Sequence, residues 1–348
     1  MTDAGRRPVR EVRLCLLGFG QVARRWCEIV ADREHQLAAQ FGVGFLVTSV
    51  GTARHGSLHH WPGLTPVELL ELAAGPARQL PEAGRPGTEL VAASGADVLV
   101  EATVAEPDGA PVAAAHVREA LALGLHVVTV NKGPIAWHYA ELAELARHQG
   151  RQLRFEGVTM DGVPLFNLVE HCLPGVTVLA VGGVLNSTTN FVLDAMAQGE
   201  ALDAALTRAR RLGFVEADPE HDLAGLDAAA KLAALANVLL DATITPADVP
   251  RVDVRTVTTD RAVAVCEAGR RLRIHSGARR AEGRVVTSCE LLEVGPDDPS
   301  YAVDAMSSLV RLDTDLAGTI EVVERRGGVT QTAYAVLSDL LQIVGQEP

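Results

Sequence analysis

Short apolar runs alternate with helical patterns over the first 150 residues, and this alternation restricts the possible folds more than any other feature. VRLCLLGFG leads into a helical segment, and apolar runs return at Gly42–Val50, Ala96–Val104 and Leu125–Lys132. Strands that alternate with helices are typical of a parallel sheet covered by helices on both faces. The sequence therefore predicts an α/β nucleotide-binding domain over residues 1–150, with the Pro/Gly-rich Gly75–Thr88 as a surface loop.

The pattern changes from about Arg151 onward. RLRIHSGARR, GRVVTSCELLEV and AGTIEVVERR follow one another as strand-like runs, which is typical of an antiparallel sheet, and helical patterns lie near Asn190–Gly199 and Asp203–Leu212. The sequence predicts an α+β domain with a mostly antiparallel sheet over residues 151–318. Residues 319–348 are predicted as a C-terminal segment that ends in the amphipathic helix TQTAYAVLSDLLQIV.

Composition excludes several classes of function. The formal net charge of −13 argues against a nucleic-acid or anionic-membrane surface, and the one basic run, Arg270–Arg280, is interpreted as a solvated sheet face. Five scattered cysteines without CxxC spacing favour a reducing compartment over a disulfide framework or a zinc site. No apolar run reaches the roughly 18 residues of a membrane span, and the N-terminus lacks an apolar signal core. We expect a soluble, cytoplasmic protein that acts on a small molecule.

A glycine turn, GFGQVA from Gly18 to Ala23, follows the first predicted strand and opens the first helix. Such a turn lets a pyrophosphate approach the backbone at a helix N-terminus, where the amides and the helix dipole favour negative charge. By itself the motif is often only a tight turn. Its place after the first strand of an alternating domain favours a dinucleotide cofactor, with Ala23 in place of the third glycine.

The residues after the second predicted strand favour NADP over NAD. An acidic residue there would hold the ribose 2′-hydroxyl of NAD, but VTSVGTARHG carries Thr52, Arg54 and His55 instead. Arg54 suits a 2′-phosphate; an exposed loop arginine is the alternative, so NAD stays open. The predicted cofactor-binding residues are Gly18, Phe19, Gly20, Gln21, Val22, Thr52, Arg54, Thr103, Asn131 and Lys132.

Two further segments place polar groups where ligands bind. VTVNKGP puts Lys132 just past the fourth predicted strand, at the edge where ligands of open parallel sheets bind, although a solvated lysine is the alternative. NSTTN, from Asn186 to Asn190, follows the strand VLAVGGVL and precedes a helix. Its side chains serve either as an N-cap alone or also as a polar pocket wall.

The stretch GFVEADPEHDLAGLDAAAK concentrates carboxylates ahead of a single lysine. From Leu226 to Leu240 the only charged side chains are Asp227 and Lys231, four residues apart on one helical face. An ordinary surface ion pair is the alternative, but a surface helix would carry charges along its whole outer face. The pair is therefore predicted to lie in a largely dry setting, where Lys231 can donate or accept a proton. Glu216 on the preceding loop is free to bind a cationic group of a substrate.

These residues resemble a known family, the homoserine dehydrogenases. GFGQVA resembles the cofactor turn of the family, HVVTVNKGPIA its TANK segment and GGVLNSTTNFVL its GILNGTTNYIL segment. FEGVTMDGVPLF and GGVTQTAYAVLSDLL also resemble family segments, so the likeness extends over nearly the whole chain. The family signature A-x3-G-…-D-P-x2-D-L-x-G-x-D-x3-K is matched by Ala209, Gly213, Phe214, Asp218, Pro219, Asp222, Leu223, Gly225, Asp227 and Lys231.

The resemblance implies the NAD(P)-dependent interconversion of L-homoserine and L-aspartate 4-semialdehyde, in amino-acid biosynthesis. It implies a Rossmann-type nucleotide-binding domain, a substrate-binding and dimerisation domain, a C-terminal helix that returns to the first domain, and a homodimer. By matching position, Lys231 exchanges a proton with the C4 oxygen and Lys132 contacts both cofactor and substrate. The implied substrate-binding residues are Glu216 for the amino group, Asp222, Thr188 and Ser187, with Asp227 and Asp222 positioning the substrate and Lys231.

The resemblance also implies a structural monovalent cation such as sodium, held by Glu156, Thr159, Asp161 and Val163. The chain departs from the family at Ser187, Phe214 and Val215, beside the substrate, so two alternatives stay open. One is a paralogue that reduces a different amino aldehyde, and the other is a non-catalytic nucleotide-binding regulator. The chain ends shortly after the closing helix, so we expect a short form without the C-terminal ACT domain of longer members.

Overall fold

The computed structural model describes residues 9–74, 80–106, 108–212, 219–304 and 307–346, and these form two compact units. The first unit runs to Pro134 and also contains Ala140–Val163 and the segment from Gly328 onward, while the second contains Ile135–Tyr139 and Pro164–Gly327. The elements in chain order are β1 (Arg10–Leu17), α1 (Gln21–Phe41), β2 (Val43–Gly51), β3 (Ser57–Leu64), α2 (Pro66–Leu72), α3 (Gly87–Ala93), β4 (Val98–Glu101), α4 (Pro111–Ala122), β5 (His126–Thr129), α5 (Lys132–Gln149), β6 (Leu153–Arg154), α6 (Leu165–Asn167), β7 (Val178–Val184), α7 (Ser187–Met196), α8 (Leu202–Arg211), α9 (Glu220–Leu223), α10 (Leu226–Leu239), α11 (Thr259–Glu267), β8 (Arg271–Ala281), β9 (Arg284–Val294), β10 (Ser307–Thr314), β11 (Thr319–Arg325) and α12 (Val329–Gln346).

The first unit contains a six-stranded sheet in the order β3-β2-β1-β4-β5-β6. Strands β2, β1, β4, β5 and β6 are parallel, as the alternation predicts, whereas β3 is an antiparallel edge strand that the sequence analysis missed. The strand SLHHWPGL has no apolar alternation because its middle residues face solvent, and a proline is tolerated at a sheet edge. The predicted α/β class is confirmed, with a mixed rather than purely parallel sheet.

One face of this sheet is covered by helices α1 and α12. Trp26 of α1 is fully buried and meets Phe45 of β2 edge-on, with ring centroids 5.7 Å apart. Val336 and Leu340 of α12 belong to the same buried cluster, so the last helix of the chain completes the core of the first unit. Of the predicted loop Gly75–Thr88, residues 75–79 lie outside the described residues, and α3 begins within it at Gly87.

The second unit contains a five-stranded antiparallel sheet in the order β11-β10-β7-β8-β9. Helices α7, α10 and α11 pack on β7 and β8, with Val192 and Met196 of α7 buried against Ile274 of β8. Strand β10, with the sequence SSLVRLDT, was not predicted from the sequence. Strand β11 pairs with β10, so residues 319–325, predicted as part of the C-terminal segment, belong to the sheet of the second unit.

The basic run Arg270–Arg280 is not a uniformly solvated face, and the interpretation is wrong at Arg273. This side chain is fully buried, and its Nη1 donates to Asp194 Oδ1 at 2.8 Å. It also donates to the carbonyl oxygens of Ser300 and Val303. A planar guanidinium with several donors can be buried when each donor has an acceptor, which strand alternation alone does not reveal. None of the described helices is both long and apolar enough to cross a bilayer.

Candidate functional site

A polar centre lies in the second unit, where the end of β7 meets helices α7, α9 and α10. Strand β7 ends at Val184, and the next residues lead into α7. Ala224 and Gly225 separate α9 from α10, and Gly225 adopts a left-handed φ of 74°. A Cβ at this position would lie 3.1 Å from the Val252 carbonyl oxygen. The glycine therefore allows the tight turn between α9, which carries Asp222, and α10, which carries Asp227.

Lys231 and Asp227 form the predicted ion pair on α10. The Nζ–Oδ2 distance is 3.2 Å, and the side chains are 20% and 14% exposed. Lys231 Nζ also donates to the Leu185 carbonyl oxygen at 3.1 Å, just beyond β7. Neighbouring α10 residues such as Leu232 and Ala233 are fully buried. The ammonium is thus held at a fixed place in a mostly dry setting, where a proton can be exchanged with a bound ligand.

Asn186 joins the two carboxylates of this centre. Its Nδ2 donates to Asp222 Oδ1 at 2.7 Å and to Asp227 Oδ2 at 2.9 Å. Its Oδ1 caps α7 by accepting the Thr189 N–H at 2.8 Å. Asn186 belongs to the segment predicted as an N-cap or a pocket wall, but it was not itself predicted as a site residue. An N-cap asparagine has two N–H donors left over, and only the fold shows what they reach.

Burial raises the pKa of the Asp222 carboxyl, and the nearby Asp227 charge raises it further. Hydrogen bonds from Asn186 and Thr188 and the charge of Lys231 act in the opposite direction. Thr188 is buried in the first turn of α7, where its hydroxyl serves Asp222, and Ser187 is the first residue of the same helix. The structure therefore brings together most of the residues predicted for substrate contact in the second unit. Glu216, with Phe214, Val215 and Asp218, lies outside the described residues.

The predicted cofactor turn lies in the first unit, between β1 and α1. Gly18 has a φ of +89°, and a Cβ there would lie 2.7 Å from Thr103 N and closer still to the Ala102 carbonyl oxygen. A Cβ at Gly20 would meet nothing within 4 Å. Gly20 is the N-cap of α1, with no side-chain cap and no acidic residue in the first turn. The turn thus leaves open space beside free helix N-terminal amides, the arrangement that binds anionic groups.

The other residues of the turn differ in exposure. Gln21 is exposed at the start of α1, and Val22 is half-buried. Phe19 is buried, with the Arg24 guanidinium carbon 4.4 Å from its ring centroid. Arg24 Nη1 also donates to the Ala73 carbonyl oxygen at 3.5 Å. The buried ring of Phe19 therefore holds the turn in place.

The loop after β2 is shaped by Thr52. Its hydroxyl donates to the Gly56 carbonyl oxygen at 2.9 Å and accepts the His55 N–H at 2.8 Å. Arg54 lies in this loop and is exposed. The hydroxyl of Thr52, which was predicted to bind the cofactor, thus makes hydrogen bonds within the loop that contains Arg54.

A buried hydrogen-bond network joins the ends of β4 and β5. Asn131 caps α5 by accepting the Gly133 N–H at 3.0 Å, and its Nδ2 donates to the carbonyl and hydroxyl oxygens of Thr103, each at 3.3 Å. The fully buried Glu101 in turn accepts the Thr103 N–H at 3.3 Å and the Thr103 hydroxyl. Lys132 is the first residue of α5 and is half-buried. Glu101 was not predicted as a site residue, because its position at the end of a strand is its only signal in the sequence.

The four residues predicted for a cation lie between β6 and α6. Glu156 is buried, and its N–H donates to Asp339 Oδ2 at 2.9 Å. The Thr159 hydroxyl is buried without a hydrogen-bond partner in the structure. Asp161 has a left-handed φ of 44°, and the Val163 N–H closes the turn on the Met160 carbonyl oxygen at 2.8 Å. Over the described residues no three His, Cys, Asp or Glu side chains cluster as metal ligands would.

Two family profiles match this chain. The profile described as homoserine dehydrogenase covers residues 164–341, and the profile described as homoserine dehydrogenase, NAD binding domain, covers residues 18–156. An NAD(+)-dependent homoserine dehydrogenase from Pseudomonas canavaninivorans is 35% identical over 96% of each chain. A homoserine dehydrogenase from Methanocaldococcus jannaschii is 30% identical over 95% of this chain and 98% of its own.

Solved structures give the same result for the fold. A putative homoserine dehydrogenase from Archaeoglobus fulgidus superimposes with a TM-score of 0.84 at 28% identity, over 96% of this chain and 99% of its own. A hyperthermophilic archaeal homoserine dehydrogenase in complex with NADPH gives 0.81 at 26% identity, over 97% and 99%. These comparisons favour neither an enzyme for another amino aldehyde nor a non-catalytic regulator. Because the likeness covers both units in sequence and in structure, the chain belongs to the homoserine dehydrogenase family of NAD(P)-binding oxidoreductases that act on a CH–OH group.

Proposed function

We propose that Lys231 carries the proton in the NAD(P)-dependent interconversion of L-homoserine and L-aspartate 4-semialdehyde, the reaction of this family. The observation that carries the proposal is the ion pair with Asp227 inside a helix that has no other charged residue and is mostly apolar. The composition adds support, because of 31 Lys and Arg residues only Lys132 and Lys231 are lysine. Arginine serves wherever a fixed positive charge is enough, but it does not release its proton in proteins.

The residues have distinct parts in this chemistry. In the oxidative direction Lys231 in its neutral form accepts the proton of the C4 hydroxyl, and in the reductive direction its ammonium returns a proton to the C4 oxygen. Asp227 holds the Nζ in place and stabilises the ammonium. The nicotinamide, when bound, accepts or supplies the hydride. An ammonium directed at the developing alkoxide also stabilises it electrostatically.

Substrate contact is proposed for a second group of residues. Asp222 and Thr188 lie beside the Lys231–Asp227 pair, and their mutual hydrogen bond orients the carboxylate. Ser187 begins the same helix as Thr188. Lys132 is proposed to contact both cofactor and substrate, and Glu216 to hold the substrate amino group, as the family resemblance implies.

The coenzyme is proposed to be NADP, with the pyrophosphate at the Gly18–Gly20 turn. The exposed Arg54, held in a loop that Thr52 shapes, supports a contact to the 2′-phosphate. The two relatives differ in this respect, since one is named as NAD(+)-dependent and another was solved with NADPH. Comparing kcat/KM for NADP⁺ and NAD⁺ in the protein and in Arg54→Ala decides the point. A preference for NADP⁺ that Arg54→Ala leaves intact contradicts the role of Arg54.

A structural monovalent cation is proposed at Glu156, Thr159, Asp161 and Val163. The buried Glu156 carboxylate and the unpartnered Thr159 hydroxyl fit a hard cation, which prefers oxygen ligands. Sodium bound only to the folded protein raises the melting temperature. We expect a higher melting temperature in sodium chloride than in choline chloride of equal ionic strength, and no difference in Glu156→Gln. Equal melting temperatures of the unaltered protein in the two salts contradict the site.

A homodimer is proposed through the open face of the five-stranded sheet. This face carries a cavity of about 450 Å³, and its lining residues include His275, Gly277, Ser288, Glu290, Arg311 and Asp313. A two-fold interface brings a patch against its own copy, so a patch with both signs of charge is self-complementary. Light scattering should give twice the 36.8 kDa chain mass, and Arg311→Glu should lower the measured mass.

A cytoplasmic location is proposed from the free state of all five cysteines.

The test of the catalytic proposal uses Lys231→Ala and Lys231→Arg, with reduced-nicotinamide absorbance on mixing with L-homoserine and coenzyme. Both variants should lose roughly 10²–10⁴-fold in kcat while binding NADPH as before, because general acid–base catalysis contributes about this much. Arg147→Ala is the matched control, since it breaks an exposed helical ion pair with Glu144 and should keep full activity. Full turnover in Lys231→Arg would refute a proton-transfer role, because arginine keeps the charge and holds its proton.

A further inference from the structure

We propose that Asn186 is a positioning residue that sets the proton affinity of Lys231 through the carboxylate of Asp227. The proposal deepens the catalytic role given above for Lys231 and rests on it for its consequence in turnover. It starts from one oxygen atom. Asp227 Oδ2 receives both the Lys231 ammonium at 3.2 Å and the Asn186 Nδ2 at 2.9 Å. Two donors therefore share the negative charge that stabilises the ammonium.

The position of Asn186 is fixed from both ends of its amide. The Oδ1 accepts the backbone N–H of Thr189, and Nδ2 donates to two different carboxylates, those of Asp222 and Asp227. Asn186 is buried, so water does not readily replace these bonds. The adjacent Leu185 carbonyl accepts the Lys231 ammonium. Two consecutive residues after β7 thus hold the lysine by a carbonyl oxygen and its carboxylate partner by an amide.

The electrostatic consequence has a definite sign. A neutral donor on Asp227 Oδ2 reduces the negative potential at Lys231 Nζ and so lowers the pKa of the ammonium relative to a site without that donor. Burial and the charge of Asp227 raise the pKa of Asp222, and the hydrogen bond from the Asn186 amide opposes this by favouring the ionised form. Asn186 therefore lets two carboxylates lie together in ionised form without giving the lysine their full attraction. That balance suits a group that must both accept and return a proton.

The remaining carboxylates on α7 and α9 have arginine partners, and His221 on α9 is exposed. On α9, Glu220 pairs with Arg255 at 2.9 Å, and on α7, Asp194 pairs with Arg273 at 2.8 Å. Asp222 on α9 and Asp227 on α10 are the carboxylates that the described structure connects to Asn186. The segment from Leu185 to Thr188 adds only neutral donors and acceptors. A change at Asn186 should consequently be felt at the lysine and at these two carboxylates.

Asn186→Ser isolates this effect. Serine is as good an N-cap as asparagine, so α7 keeps its cap, but the shorter side chain cannot reach the carboxylates. The whole chain contains two lysines, so ¹³Cε-lysine labelling gives two side-chain signals, and Lys132→Arg assigns them. We expect the titration midpoint of Lys231 to move to higher pH by about one unit, with the signal of Lys132 unmoved. The pH limb of kcat/KM for L-homoserine oxidation should move by the same amount.

Asn190→Ser is the matched control. Asn190 is fully buried in the same helix, and its Nδ2 donates to the Ser307 carbonyl oxygen rather than to a carboxylate. This variant should lose stability and leave both the lysine titration and the pH limb in place. Asn186→Asp, which keeps the cap and adds a negative charge, should move the Lys231 midpoint further in the same direction and serves if the serine variant does not fold.

The outcomes are distinguishable. A Lys231 midpoint in Asn186→Ser that equals that of the unaltered protein, or a shift of equal size in Asn190→Ser, overturns the proposal even if turnover falls. A protein that does not oxidise L-homoserine at all refutes the catalytic proposal. The lysine titration needs no turnover and decides the role of Asn186 in that case also.

Discussion

The two glycines of the cofactor turn offer a test in which one substitution should damage the fold and the other only the binding of the coenzyme. Gly18 has a φ of +89°, and an added Cβ would overlap the backbone of Ala102 and lie 2.7 Å from Thr103 N. Gly20 has a φ of −85°, and an added Cβ meets nothing within 4 Å. A substitution to alanine therefore causes a steric clash at Gly18 and none at Gly20.

The magnitudes follow from these geometries. A left-handed conformation costs a residue with a Cβ about 1–2 kcal/mol, and displacing the 102–103 backbone adds to this, so Gly18→Ala should lower the free energy of unfolding by about 3 kcal/mol. At Gly20 the substitution restricts the unfolded chain but replaces a favoured N-cap residue, so the two effects oppose each other and stability should change by less than about 1 kcal/mol. Its methyl group occupies the space beside the α1 amides, so coenzyme affinity should fall at least tenfold, about 1.4 kcal/mol.

The assay combines urea unfolding with fluorescence titration of NADPH for both variants. We expect Gly18→Ala to be defective in both measurements and Gly20→Ala to be defective in binding alone. Equal destabilisation by the two substitutions would show that the close approach to Ala102 does not decide the role of Gly18. Unchanged NADPH affinity in Gly20→Ala would refute the placement of the pyrophosphate at this turn.

Three further predictions test separate parts of the structure. Asp194→Asn leaves the buried Arg273 charge without its carboxylate and should cost about 3–5 kcal/mol in urea unfolding; a loss below about 1 kcal/mol would mean that the carbonyl acceptors suffice. The pKa of Asp222 is raised in the folded state, so ionisation of this carboxyl lowers the free energy of unfolding above that pKa and has no effect below the unfolded value of about 4. Asp222→Asn should therefore raise the free energy of unfolding at pH 8 but not at pH 4. An equal gain at both pH values would contradict burial as the cause of the raised pKa. Glu101→Gln should raise KM for the coenzyme several-fold with a smaller change in kcat, because the Thr103 hydroxyl loses its carboxylate acceptor, and an unchanged KM would separate Glu101 from the cofactor site.

Two kinds of apolar pattern predicted most of the fold. Continuous apolar runs predicted the buried parallel strands, an apolar stripe at helical spacing predicted α12, and both were found in the structure. Strand β3 and strand β10 were missed, because an edge strand with His59, His60 and Pro62 does not alternate and SSLVRLDT is buried along most of its length. A strand that shows neither a continuous apolar run nor period-two alternation gives neither of the signals on which such predictions depend.

The candidate site shows a similar division. Asp227 and Lys231 could be selected because two charges in an apolar helix are anomalous, and that anomaly is visible in the sequence. Asn186 and Glu101 could not be selected from the sequence. Asn186 acts on carboxylates 36 or more residues away, and Glu101 lies at a strand end that brings Thr103 and Thr129 together. Local spacing reveals a residue whose type is unusual for its helix or strand, whereas only the tertiary structure reveals a residue that links several elements.

The distribution of the two basic residue types connects the fold to the chemistry. At positions where a fixed positive charge must satisfy several acceptors, this chain uses arginine, as in the buried Arg273 and the Arg255 that joins Asp253 to Glu220. The planar guanidinium suits that task and holds its proton. The ammonium of lysine is a compact charge whose proton affinity responds to its surroundings, and the chain has it only at 132 and 231. Lys231 contacts the Asp227 carboxylate and the Leu185 carbonyl oxygen, and the Asn186 amide donates to the same carboxylate. The proton affinity of this lysine therefore depends on neighbours that a substitution can change.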